Sequence, residues 1–190
     1  GEDDKTDLAL LKINAVNDQP FPYVRFGNST LARVVDWVLS IGNPFGLGGT
    51  TTSGIISARG RNINSGPYDD YIQVDAPINQ GNSGGPLFNT KGKVIGVNTA
   101  IFSPNGGNVG IGFAIPANVV TEIVASLEIH GKVQRAWLGI QIQPVTPAIA
   151  ESFNRNEAGG VLVSAVNPDS PAARAGIEIG DIIMSFNDIE

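Results

Sequence analysis

Apolar residues in the first two thirds of the chain come in short bursts of strand length, each closed by glycine, asparagine or proline. Residues 8–13 (LALLKI) open the series and give way to a polar, proline-containing stretch through Pro22. Residues 34–41 (VVDWVLSI) are β-branched and aromatic and stop at Gly42-Asn43-Pro44. Residues 50–58, 71–74, 94–98 and 110–115 repeat the pattern, with Gly54 expected at a bulge or a close approach of backbones. Strands bounded by such turns, with no helices between them, predict an antiparallel barrel or sandwich.

Residues 117–130 break that rhythm. Val119, Val120, Ile123, Val124 and Leu127 recur at helical spacing between Pro116 and Gly131, which predicts a helix. Beyond a linker at 131–135 the order alternates: strand 138–143, short helix 147–153, strand 160–166, helical turn 170–175, strand 181–187. The change of rhythm predicts a domain boundary near residue 134, and both ends read as cuts through a longer protein.

Composition removes several function classes. The 190 residues hold 12 Lys/Arg against 18 Asp/Glu, a net charge of −6 with no basic run, which argues against nucleic acid or an anionic membrane as the main partner. A hydrophobic share of 42% is enough for a core, and 24 glycines with 12 prolines suit many tight turns. With no cysteine, disulfides, thiol catalysis and Cys-ligated zinc are excluded; with His130 the only histidine, so is any multi-His metal site.

The chemistry concentrates in Gly81-Asn82-Ser83-Gly84-Gly85-Pro86. A serine between glycines on a tight turn exposes its hydroxyl while neighbouring N–H groups converge, as an oxyanion hole for acyl transfer requires. Taken alone, the string reads equally as a glycine-rich hairpin turn with an incidental serine.

Its surroundings carry more. IQVDAPINQGNSGGPLFN (72–89) stands with TDLALLKI (6–13), IGNPFGLGGTTTSGIISARGR (41–61) and GNVGIGFAIP (107–116), followed by WLGI, SPAARAGI and GDII. Together these closely resemble the HtrA/Deg family of serine proteases. The resemblance implies a mainly β chain: a chymotrypsin-like antiparallel β-barrel (the second barrel plus a remnant of the first) over 1–133, then a truncated PDZ domain over 134–190. It implies Ser83 as nucleophile, the N–H groups of Gly81 and Ser83 as oxyanion hole, and Asp7 as the acid that orients a catalytic imidazole. Ile78, Ile111 and Phe113 fit the family's small apolar pocket for the residue before the scissile bond, though ordinary barrel core fits them too. Trp137, Leu138 and Gly139 match the loop that captures a peptide's terminal carboxylate, and Ile140 opens the strand that pairs with it. Without the resemblance these four read as a plain strand start packed by Trp137.

The activity implied is that of a serine endopeptidase of protein quality control in a bacterial periplasm or envelope. It would cleave unfolded or misfolded polypeptides, bind C-terminal peptides through a complete PDZ domain and assemble as a trimer-based homo-oligomer, with no metal or cofactor. One departure weighs most: the family's histidine lies upstream of the aspartate, and the six residues before Asp7 include none. His130 falls at the predicted helix end, where the dipole favours a cation. The chain by itself is therefore expected to be inactive. The rival reading is a non-catalytic peptide-binding or chaperone-like module. Smaller departures are Val35, where the family usually has glycine, and Pro77 and Gln80 before the nucleophile.

Overall fold

The computed structural model describes residues 1–14, 20–104 and 106–187, with Phe45 by its backbone alone. The chain divides into two compact units, Gly1–Gln134 and Arg135–Glu190.

In the first unit, β1 (Glu2–Asp3) and β2 (Leu8–Ala9) make a small antiparallel ribbon. Then come β3 (Trp37–Gly42), β4 (Thr50–Arg61), β5 (Tyr71–Val74), β6 (Pro86–Asn89), β7 (Val94–Ile101) and β8 (Gly112–Pro116). These six close into an antiparallel barrel in the order β3-β4-β5-β8-β7-β6. Side-chain alternation drives the closure. On β3, Val38 and Ser40 are buried while Trp37, Leu39 and Ile41 face outward. Val38, Ile56, Ile72, Val74, Leu87 and Ile95 fill the interior, each burial worth roughly 1.5–3 kcal/mol.

Helix α1 (Ala117–His130) follows β8 and buries Val120, Ile123 and Leu127 against Leu8, Tyr71, Phe113 and Ile115. The predicted apolar stripe is thus the packing face, and Gly131 ends the helix in the left-handed conformation.

Some strand expectations change. Of residues 8–13, Leu8 and Ala9 pair with β1 and Leu10 exchanges backbone hydrogen bonds with Gly1, while Leu11 and Ile13 are exposed. The strand expected from residue 34 starts at Trp37, since Val34 and Val35 lie in a turn closed by the Asp36 amide on the Arg33 carbonyl (3.1 Å). Strand β6 was not legible beside its glycines and proline, yet it joins β3 to β7 and closes the barrel.

The second unit holds β9 (Ile140–Pro144), α2 (Pro147–Ser152), β10 (Val161–Val166), α3 (Pro171–Arg174) and β11 (Ile182–Ile183). Its antiparallel sheet runs β11-β10-β9, which leaves β9 at an edge. Both helices start on a capping hydroxyl followed by proline: Thr146 accepts from the Ile149 amide and Ser170 from the Ala173 amide. The strand expected over 181–187 pairs only at Ile182–Ile183.

Candidate active site

Ser83 stands on the turn between β5 and β6, and backbone bonds define that turn closely. The Asn82 amide donates to the Asn79 carbonyl (3.0 Å), the Gly85 amide to the Asn82 carbonyl (2.9 Å) and the Gly84 amide to the Asn98 carbonyl (2.8 Å). The end of β3 backs it: the Asn43 amide donates to the Gly81 carbonyl at 3.0 Å. Glycine is required here for space. A Cβ on Gly81, which has φ 97°, would strike the Asn43 carbonyl, and one on Gly85 would strike the Ile41 carbonyl. Asn82 is buried beneath the turn, its Nδ2 donating to the Pro77 carbonyl (3.4 Å).

The Ser83 side chain is exposed, and its hydroxyl donates to the Thr99 carbonyl at 2.8 Å. Thr99, on β7, donates its own hydroxyl to Asp7 Oδ2 at 2.6 Å. One residue therefore joins the serine to the aspartate. Asp7 itself lies in the turn between β1 and β2 at φ 56°, a region that costs most residues strain and that aspartate tolerates better than most. Sequence reading missed Thr99, since nothing in VNTA separates it from any strand residue. Its partner is 92 positions away.

Among the described residues the amides of Gly81 and Ser83 donate to no protein group. His130 lies in the last turn of α1, and no hydrogen bond joins it to Ser83 or Asp7 among the described residues. The serine proton rests on a backbone carbonyl, which is no base. What the chain assembles is a hydroxyl, a pair of amides and a carboxylate.

The structure does not bring the three pocket candidates together. Ile78 belongs to the barrel interior, with Ile101 packed against that cluster. Phe113 and Ile111 belong to the cluster under α1, where the Phe113 ring lies 6.2 Å from that of Tyr71. Alternation along β8 explains the split, because Ala114 faces inward while Phe113 and Ile115 face the helix. Gly112 lies opposite Ile78: a Cβ there would stand 2.8 Å from Ile78 Cδ1.

Between β4 and β5, Asp69 organises a loop. Partial burial pushes its carboxyl up, but the Ser65 hydroxyl and the amides of Ser65, Ile63 and Gly66 outweigh that and hold it below the ordinary value of 3.8.

In the second unit Trp137 and Leu138 are exposed. The Leu138 carbonyl accepts from the Ala172 amide (3.0 Å) and the Gly139 carbonyl from the Asn167 amide (2.8 Å), which ties this stretch to the start of α3. Gly139 has φ 80°, and a Cβ would strike Ser170. Ile140 begins the edge strand opposite Val166.

The family model for the trypsin-like peptidase domain matches residues 1–97, and that for the PDZ domain residues 162–190. A "probable periplasmic serine endoprotease DegP-like" of Rhizobium meliloti (strain 1021) is 59% identical over 187 residues, 98% of this chain and 37% of its own length. A protein of the same description from Rickettsia conorii (strain Malish 7) is 56% identical, covering 100% of this chain and 38% of its own. Among solved structures, the HtrA-type protease AlgW with decapeptide superposes at TM-score 0.87 with 49% identity, over 100% of this chain and 58% of that one. A serine endoprotease from Yersinia pestis does so at 0.69 with 43% identity, over 100% and 59%. The chain spans a little over a third of the length of the curated relatives it matches. Matching the peptidase family over half its length, with PDZ sequence behind, the chain belongs to the trypsin-like peptidases of the HtrA/Deg type.

Proposed function

We propose that the whole protein is a serine endopeptidase acting on unfolded or misfolded polypeptides in a bacterial periplasm. The observation that carries this reading is the hydrogen-bonded series Ser83–Thr99–Asp7 beside two amides that donate to no group among the described residues. An imidazole supplied from outside these 190 residues takes the Ser83 proton as the oxygen attacks the scissile carbonyl. Asp7 orients that imidazole and stabilises its cation, while Gly81 and Ser83 N–H receive the oxyanion. In this reading Thr99 fixes the carboxylate, a role the sequence did not suggest.

The resemblance implies an apolar pocket for the residue before the cut, and the apolar side chains it names divide between the barrel interior (Ile78) and the cluster under α1 (Ile111 and Phe113). A charge there would be desolvated without a partner, which costs several kcal/mol. Digestion of an unfolded substrate should therefore cut mainly after Val, Ile or Ala. Cuts mainly after Lys, Arg, Asp or Glu contradict this pocket, and cleavage that survives Ser83→Ala contradicts the reading as a whole.

The edge position of β9 supports a second role. A peptide C-terminus pairs beside Ile140, with its carboxylate on amides of Trp137, Leu138 and Gly139. Assembly as a trimer-based homo-oligomer belongs to the same reading, and the mass in solution by light scattering decides it.

A further inference from the structure

The segment that leads into the nucleophile is pinned by its carbonyls. Pro77 O accepts from the Thr52 hydroxyl (2.9 Å) and Asn82 Nδ2 (3.4 Å), Asn79 O from the Asn82 amide (3.0 Å), and Gly81 O from the Asn43 amide (3.0 Å). Thr52 sits on β4 and Asn43 directly follows β3, so these two anchors belong to the barrel, while both Asn82 bonds are internal to the turn. A further anchor comes from elsewhere. Ile78 O accepts from Nδ2 of Asn108 at 3.0 Å, and Asn108 lies in the connection between β7 and β8.

Asn108 grips the segment twice. Its backbone amide also donates to Asn79 Oδ1 at 3.2 Å, while its own Oδ1 accepts from the Gly110 amide at 2.8 Å. The last bond alone would shape the local turn. The other two cross to a segment 29 and 30 residues away and hold both residues at the start of the turn that carries Gly81. Asn79 then passes the constraint on through its carbonyl to the Asn82 amide. We propose that Asn108 is a positioning residue of the oxyanion turn: it couples the β7–β8 connection to the placement of the Gly81 and Ser83 amides. This rests on the reading of Ser83 as the nucleophile.

The test uses the full-length protein, a peptide substrate with one scissile bond, a peptide boronate that forms a tetrahedral adduct on serine, and a product peptide. Asn108→Asp keeps the acceptor for Gly110 and the backbone donor but removes the donor to Ile78; Asn108→Ala removes both side-chain bonds. A misplaced donor costs less than the 10²–10³-fold in kcat that follows deletion of one. Both variants should lose about tenfold in kcat with KM within twofold, and boronate affinity should fall in proportion while product affinity holds. Unchanged kcat and boronate affinity in Asn108→Asp overturn the proposal. So does an equal loss of boronate and product affinity, which marks a merely structural role. Ser83→Ala run alongside separates the two levels: activity surviving there defeats the nucleophile reading, whereas an inactive Ser83→Ala beside a fully active Asn108→Asp defeats this inference alone.

Discussion

Val35 holds φ 77° although it is β-branched, in the turn whose amide contact to the Ile56 carbonyl (2.8 Å) fixes the approach to β3. The turn survives the absence of the family's usual glycine, and the strain stays in the valine. Left-handed backbone costs an L-residue about 1–2 kcal/mol, and glycine returns about 0.5–1 of that through its freer unfolded chain. Val35→Gly should raise stability by up to about 1 kcal/mol, a rise of roughly 3 °C in the thermal midpoint. A fall in the midpoint contradicts the strain. At Thr99 the issue is charge. Thr99→Val leaves the carbonyl that holds Ser83 but removes the donor to Asp7, and bonds to charged groups are worth about 1.5–3 kcal/mol. In the catalytically complete protein kcat should fall at least about tenfold, read by steady-state kinetics. Ser83 was legible because its chemistry needs glycines beside it in sequence. Thr99 was not, because its role is made only when β7 is folded beside the turn that holds Asp7.

Among the elements, α1 was legible from its apolar spacing between Pro116 and Gly131, since burial of residues three and four apart is what a helix needs. Leu127 is buried on its packing face, and Leu127→Ala should cost about 2–5 kcal/mol by chemical denaturation. Strand β8 shows the opposite case. Its residues read as one apolar run, and which of them face the barrel and which the helix depends on an alternation that only those partner surfaces reveal. The loop between β4 and β5 makes a pH prediction. Asp69 has a folded value held below 3.8, so its contribution is present above the ordinary carboxylate range and is lost as pH falls through the folded value. Asp69→Asn should therefore be less stable than the parent at pH 7, and the gap should narrow as the pH falls below the ordinary carboxylate range. A gap that persists undiminished in acid contradicts the role given to that carboxylate.

At the scale of the whole chain, the fold brings together a hydroxyl, two amides and a carboxylate that the sequence spreads from Asp7 to Ser83, and the only histidine is in the last turn of α1. Removing the base from such a site costs on the order of 10⁶ in kcat, about 8 kcal/mol of barrier. From a typical kcat of about 10 s⁻¹ that leaves about 10⁻⁵ s⁻¹, near one event per day. The direct measurement is casein cleavage by the 190-residue chain beside a polypeptide extended upstream to include the histidine that the proposed function requires, each with its Ser83→Ala counterpart. The extended form should cleave and lose all activity in Ser83→Ala, while the 190-residue chain stays at background. Comparable cleavage by the 190-residue chain, abolished by Ser83→Ala, would contradict the account and place the base at His130.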